Sequence, residues 1–460
     1  VTEGVGVSWR GLRGSRFARE VATLSGATAV ALAVGALQGL VTARVLGPHA
    51  YGVVGLVVAA PAFVHAIVGC RMVDVGVRYL TEFAARAEFE KARAFCKLGY
   101  LLEMTVGFLA VAVVAALGNL IERHVVGEPG TRDLMVLLAA ATALRSPAST
   151  SAAVLRALGS LRAAGALQAA PALVRAALVL LALAAGLGVP GVVTATALAL
   201  AAEGGMALYL GSRAIRLAWG GGWLSAPLTA LRARRRDIAR FLVWSDLAGM
   251  LGLVTKQADV LAVGAFASAT AAGHYRLAVS MASLASVVVG PLQAVLFQRF
   301  ARLRGVGDAA GLRRAARRVA GMVCLPLGLL LLTALPFVPL LVRVLVGDAY
   351  RPAAAPAQIS LAAVAVWLAL AWVRPLAFAV DAVKAWAAGA AAVAAVSLAG
   401  FVVLTPMLGA LGPAWVRLGT GTAMQAAFAV RLGRRHVAIL PGRPAMRGDI
   451  PAAPGPRGAR

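Results

Sequence analysis

Charge is what this sequence has least of. Asp, Glu, Lys and Arg together make up 14% of 460 residues, while hydrophobic residues make up 61%. A soluble domain carries roughly 25% charged residues to cover its surface, so an ordinary soluble fold is excluded. Cysteine is scarce too: Cys70, Cys96 and Cys324 stand far apart with no CxxC, which excludes a disulfide framework and a thiolate metal site. The five histidines, His49, His65, His124, His274 and His436, do not cluster. The chain is therefore expected to hold no metal and no cofactor. Acidic residues number 18 against 45 basic ones. Ten-residue segments of alternating polarity are also missing, which argues against a transmembrane barrel.

What is present is a series of continuous Leu-, Ala- and Val-rich runs, and the mean hydropathy is +0.84. Each run is about 20 residues long, the length that spans a hydrocarbon core. They predict an all-α polytopic membrane protein with about twelve transmembrane helices. The first six passes fall near 23–43, 51–70, 98–121, 134–157, 166–188 and 190–212. The second six fall near 241–266, 271–296, 319–346, 356–379, 385–407 and 412–432. Arg10, Arg13, Arg16 and Arg19 precede the first run as in a signal peptide, but the run is long and lacks a clear cleavage site. A membrane helix is expected there.

The formal charge of +27 would suggest a nucleic-acid partner in a soluble protein. Here the cations collect in every second connection: after the second, fourth, sixth and eighth passes, before the first, and in the tail. That pattern is the positive-inside rule, and it predicts both termini in the cytoplasm. The basic loops carry no aromatic-interleaved module, so nucleic-acid binding is not expected. The organisation expected is a basic N-terminus (1–22), a six-helix lobe (23–212), a basic linker (213–240), a second six-helix lobe (241–433) and a disordered basic tail (434–460). Residues 80–97, LTEFAARAEFEKARAFCK, are expected to form an amphipathic helix along the membrane surface.

The two halves echo one another. VLGPHAYGVVGLVVA (45–59) lies between the first two passes, and AGHYRLAVSMA (272–282) between the seventh and eighth. Tyr51 and Tyr275 fall at equivalent points, Tyr51 at the depth where aromatic rings favour the headgroup layer. Two sets of six passes in one orientation make a parallel repeat, a common transporter plan. Tight turns favour Gly and Tyr in any case, so the echo alone leaves both readings open.

Five local patterns resemble one family. ARVLGPHAYG (43–52) is similar to the opening signature of the oligosaccharide (O-antigen and capsule type) flippases, and VDVGVRYL (73–80) to the end of their second helix. ADVLAVGAFASATAAGHYRLA (258–278) resembles their seventh-to-eighth connection, VGDAYRPAA (346–354) the start of the tenth pass and TPMLGALGPAWV (405–416) the entry to the twelfth. In the last, GPAWV replaces the usual Gly-Ala-Ala. The resemblance covers about residues 20–435. It implies the multidrug/oligosaccharidyl-lipid/polysaccharide exporter superfamily: two six-helix lobes around a central cavity, working by alternating access. The substrate it implies is a polyprenyl-diphosphate-linked oligosaccharide moved from the cytoplasmic to the outer leaflet of a bacterial or archaeal plasma membrane, beside glycan polymerase or glycosyltransferase machinery.

A lipid diphosphate needs cations at membrane depth, where each is costly and therefore worth weighing. Arg145 falls about twelve residues into the fourth pass, roughly 18 Å from its end, just before Pro147. Arg175 in the fifth pass and Glu203 in the sixth sit at similar depth, as cavity residues or as a structural pair. Lys256 and Asp259 lie one turn apart in the seventh, either salt-bridged to each other or lining the cavity. Arg276, Arg78 and Arg44 stand near pass ends, and Asp246 is a further carboxylate at depth. Asp246, Asp259 and Glu203 would serve ion coupling, or a multidrug antiporter of the same fold. A membrane glycosyltransferase or polymerase is the third reading. It would need a substantial outer loop or an acidic metal motif, and the longest outer connection, about 122–133, has neither. A protein that moves lipid and breaks no bond is expected, not an enzyme.

Overall fold

The computed structural model describes residues 16–70 and 72–435. Among these residues all regular structure is helical and no strand occurs. Most of the expected N-terminus and nearly all of the basic tail lie outside them.

Helix α1 (Arg16–Val68) is one helical trace folded at Gly47, whose φ is 77° and ψ 171°. Two passes are thus joined without a loop. Pro48 opens the second arm, where its missing N–H would have had no partner in any case. α2 (Met72–Ala85) and α3 (Phe89–Ile121) follow. Residues 80–97 are therefore not one surface helix. They hold a helix end, a turn with Ala87 at φ 54°, and the next helix start. The apolar positions that suggested a membrane-facing stripe (Leu80, Phe83 and Phe95) are buried within the protein, where the rings of Tyr79, Phe83 and Phe95 pack together. A stripe at helical spacing looks the same in sequence whether protein or lipid covers it. At the turn, Lys91 donates to Glu88 at 2.8 Å and holds its carboxyl below the ordinary range.

The fourth pass is broken at Ser146-Pro147 into α4 (Thr131–Arg145) and α5 (Ala148–Ala157). α6 (Leu161–Ala184) and α7 (Gly188–Trp219) complete the first set. Short 3-10 turns lead to α8 (Arg235–Phe266), then α9 (Ala269–Ala285) and α10 (Val289–Gly305). The ninth pass is assembled from α11 (Ala309–Val319), α12 (Leu325–Ala334) and α13 (Val338–Val346). The tenth comprises α14 (Ala354–Ala369) and α15 (Val373–Ala379), followed by α16 (Val383–Leu408) and α17 (Leu411–Arg435). Eight helical stretches are long and apolar enough to cross a membrane. Counting the two arms of α1 separately and adding α4–α5, α8 and α17, the described chain makes twelve passes. Long exposed side chains such as Leu181, Leu330, Phe337 and Val403 stud the outside, as expected where lipid is the solvent.

The two sets of helices meet where α1 packs against α9. A Cβ on Gly52 would collide with the Ala269 carbonyl, and one on Gly273 with the Pro48 carbonyl. These two glycines therefore bring the backbones into direct contact. Three tyrosines from the family-like motifs are buried around this contact. Tyr51 shares a hydrogen bond with Ser280 and meets Tyr350 edge-on. Tyr350 donates to the Ala43 carbonyl, and Tyr275 to Asp259. Tyr51 is only 1% exposed, so protein rather than lipid headgroups covers its ring. The protein interior supplies a partner for its hydroxyl, as a buried tyrosine requires. At the end away from the arginine-rich loops, His49 bridges Thr270 (3.2 Å) and Glu128 (2.9 Å), and closes the seam between the halves.

Candidate substrate cavity

Two cavities flank the first arm of α1, and Thr28 and Leu32 line both. They lie on the arginine-rich side of the closed seam. The first, about 630 Å³, belongs to the first helix set and reaches that end at Cys70, Val73 and Arg156. The second, about 670 Å³, belongs to the other set.

The first cavity is built around the break in the fourth pass. Arg145 ends α4, where a cation opposes the partial negative charge of the helix C-terminus. Its Nε lies 2.8 Å from Glu203 Oε1 on α7. That reach depends on Gly204, because a Cβ there would strike the Leu144 carbonyl and hold α7 off α4. Beyond the break, the Thr150 amide at the start of α5 donates to Glu103 Oε2 at 3.2 Å. Glu103 is buried at 2% exposure and caps a helix end that favours negative charge. Its Oε1 has no hydrogen-bond partner among the described residues, nor does His65 Nδ1. Arg175 and Arg156 also line this cavity, and neither forms a salt bridge among the described residues. The cavity therefore carries more cationic than anionic side chains, three guanidiniums against Glu103 and Glu203, and two of the three form no salt bridge among the described residues, although Glu203 also acts on Arg175 through space.

The second cavity is lined by Lys256 and Arg417 with Ser283, Ser286, Ser360 and Gln425. Arg417 Nη2 lies 2.8 Å from Asp259 Oδ2. Asp259 is fully buried and also accepts from the Tyr275 hydroxyl (2.9 Å) and the Val260 amide (2.7 Å).

Arg145, Arg175 and Glu203 thus share one cavity, and Lys256 lines the other. The carboxylate pairings differ from both pairings weighed in sequence. Glu203 is held by Arg145 rather than Arg175, because Gly204 seats α7 against the end of α4. Asp259 faces α17 and is held by Arg417 rather than by Lys256 one turn away. Three cationic candidates line neither cavity. The Arg78 guanidinium stacks 4.4 Å from the Phe241 ring centre. Arg44 reaches the Val344 and Leu345 carbonyls at the opposite end. Arg276 sits inside the seam over the Tyr51 ring at 4.9 Å, packed on Gly55. Asp246 lies half-buried at the α8 side of the first cavity, beside Cys70. Sequence reasoning passed over Arg417 and Glu103. Each is a lone charge in an apolar run (PAWVRLG and GYLLEMTVG), and intramembrane charge at depth was the signal that would have found them.

The comparisons with known proteins agree with this architecture. The family model described as "Polysaccharide biosynthesis protein" matches residues 41–355. No curated protein sequence matches the chain. Among solved structures, the chain is similar to an inward-facing MATE-family multidrug transporter of the MOP superfamily, with TM-score 0.65 and 13% identity, covering 88% of this chain and 95% of that one. It is similar to the lipid II flippase MurJ in an inward closed conformation, with TM-score 0.69 and 10% identity, covering 89% and 87%. A MOP-superfamily transporter from Pyrococcus furiosus aligns with TM-score 0.60 and 14% identity over 95% and 99%. Identities this low speak for the fold alone: two helical lobes around a central cavity. The match over residues 41–355 speaks for more, and this chain belongs to the polysaccharide biosynthesis protein family.

Proposed function

We propose that the protein is a flippase for a polyprenyl-diphosphate-linked oligosaccharide, and that the diphosphate binds in the first cavity. The observation that carries this reading is the set of three arginines at that cavity, which outnumber its two carboxylates and two of which form no salt bridge among the described residues. A guanidinium fork suits phosphate oxygens and holds its charge in an apolar setting. In water-poor surroundings such a cation needs a counter-ion, and an entering diphosphate supplies one. Arg175 and Arg156 would take the first contacts. Arg145 would turn from Glu203 toward the substrate, with Glu203 limiting how tightly it is held.

The family's link to polysaccharide biosynthesis and the fold shared with MurJ, a lipid II flippase, support the same reading. The positive-inside pattern supports an arginine-rich end and both termini on the cytoplasmic side, and the family's link to polysaccharide biosynthesis supports a bacterial or archaeal plasma membrane. The structure then corresponds to the state open to the cytoplasm, and transport is alternation of the seam between the two lobes. No covalent bond is made or broken, so the protein is no enzyme on this reading. Its natural neighbours are the glycosyltransferases or polymerases that make and use the glycan. Complementation of a flippase-null strain tests it: surface glycan is restored by the wild type and not by Arg175→Ala. Export of cationic dyes without glycan rescue would mean a multidrug antiporter instead.

A further inference from the structure

Outside both cavities, a third hollow of about 630 Å³ opens between α3, the connection at 220–234 and α8. Leu98 and Leu102 of α3, Leu228 of the connection and Leu242 of α8 form its apolar part. Arg232 and Arg235 stand at its other side. It shares no lining residue with either cavity.

The hollow is built rather than incidental. Lys97 donates to the Ala226 carbonyl (3.2 Å) and Arg93 to the Gly221 carbonyl (3.1 Å), which fastens the connection to α3. Trp223 packs on Tyr100 with ring centres 5.1 Å apart. Arg234 is engaged by Glu82 at 2.8 Å. Its neighbours Arg232 and Arg235 are exposed, and neither has a carboxylate partner among the described residues. The hollow also faces lipid. Next to it on α3, Leu101 is 50% and Phe108 57% exposed, and Val243 on α8 is 63% exposed. Leu98 marks the start of the third apolar run, and Leu102 lies about 6 Å deeper along the helix. The two guanidiniums are therefore at headgroup level, with leucines beneath them.

We infer that this hollow binds one anionic phospholipid of the surrounding bilayer, its phosphate between Arg232 and Arg235 and an acyl chain along Leu98, Leu102 and Leu242. Charge complementarity selects the occupant: two unpaired guanidiniums over an apolar slot match an anionic head on an apolar chain. The bound lipid would bridge α3 of the first helix set and α8 of the second, beside the linker that joins the two sets. The inference does not depend on the substrate proposed above.

Native mass spectrometry of the intact protein tests it, with phosphatidylglycerol or phosphatidylethanolamine added at equal concentration. The wild type is expected to retain one phosphatidylglycerol preferentially. Arg232→Gln and Arg235→Gln should each weaken that retention about fivefold. The control pair Arg314→Gln and Arg317→Gln, exposed on α11, should leave it unchanged. Equal retention of the two lipids, or equal loss in the control pair, overturns the inference. Displacement of phosphatidylglycerol by equimolar polyprenyl diphosphate would also overturn it, since the hollow would then be a substrate port. Thermal unfolding of each variant alongside separates lost lipid from lost fold.

Discussion

Arg417 and Asp259 form an ion pair at 2.8 Å that ties the last helix to the seventh pass, with Asp259 fully buried and Arg417 one-third exposed to the second cavity. The pair is asymmetric. Asp259 keeps the Tyr275 hydroxyl and the Val260 amide if Arg417 leaves, but its charge is then buried without a counter-ion. Breaking such a pair costs about 3–5 kcal/mol. Partial exposure of Arg417 favours the lower end.

Arg417→Ala should therefore lower thermal stability in detergent more than Asp259→Asn does. The double variant Asp259→Asn with Arg417→Gln should recover part of the loss, because neither residue is then an unpaired charge. Thermal unfolding of the four proteins checks the order.

On the proposed function, Glu203 and an entering diphosphate would compete for Arg145 in the first cavity. Glu203→Gln frees the guanidinium and should tighten binding of a polyprenyl diphosphate. Arg145→Ala should weaken it about tenfold or more, as expected for a lost charged hydrogen bond. Equilibrium binding to the purified protein reads both signs. A turnover assay should show the Glu203 variant releasing substrate more slowly.

The seam between the halves is checkable with a crosslink. His49 and Thr270 face each other at 3.2 Å. Cysteines at these two positions, in a background lacking Cys70, Cys96 and Cys324, should form a disulfide that stops transport and is reversed by reductant. Gly52→Ala should work in the opposite sense. The added Cβ meets the Ala269 carbonyl, so the seam loosens and crosslinking falls.

Glu103 caps α5 through the Thr150 amide. Removing a helix cap costs about 1 kcal/mol. Glu103→Ala should lose at least that much in thermal unfolding, while Glu103→Gln, which keeps an acceptor oxygen, should lose less.

Much of this was legible in sequence, for physical reasons. Hydrocarbon demands long apolar helices, so the twelve passes stand out as runs. Loop arginines obey a one-sided rule, so the two ends of the bundle separate. Tyr51 and Tyr275 were visible as an echo. What the echo could not convey is that the backbones beside these tyrosines, at Gly52 and Gly273, touch, since contact across 221 residues leaves no local trace. The same limit hid the pairings of Arg145 and Asp259. Depth along a helix follows from counting residues. The direction in which a side chain points around the bundle depends on packing, here on Gly204 and on the seating of α17. Burial of Phe83 and Phe95 was missed because lipid and protein select the same apolar stripe.

The most direct measurement is flipping itself. Purified protein would be reconstituted into liposomes carrying a fluorescent polyprenyl-diphosphate-linked glycan, with exposure in the opposite leaflet followed by a membrane-impermeant quencher. The account predicts protein-dependent translocation that falls about tenfold or more in Arg145→Ala and Arg175→Ala, with fold and insertion unchanged. Absence of translocation by the folded wild type, or translocation equally fast in both arginine variants, would contradict it.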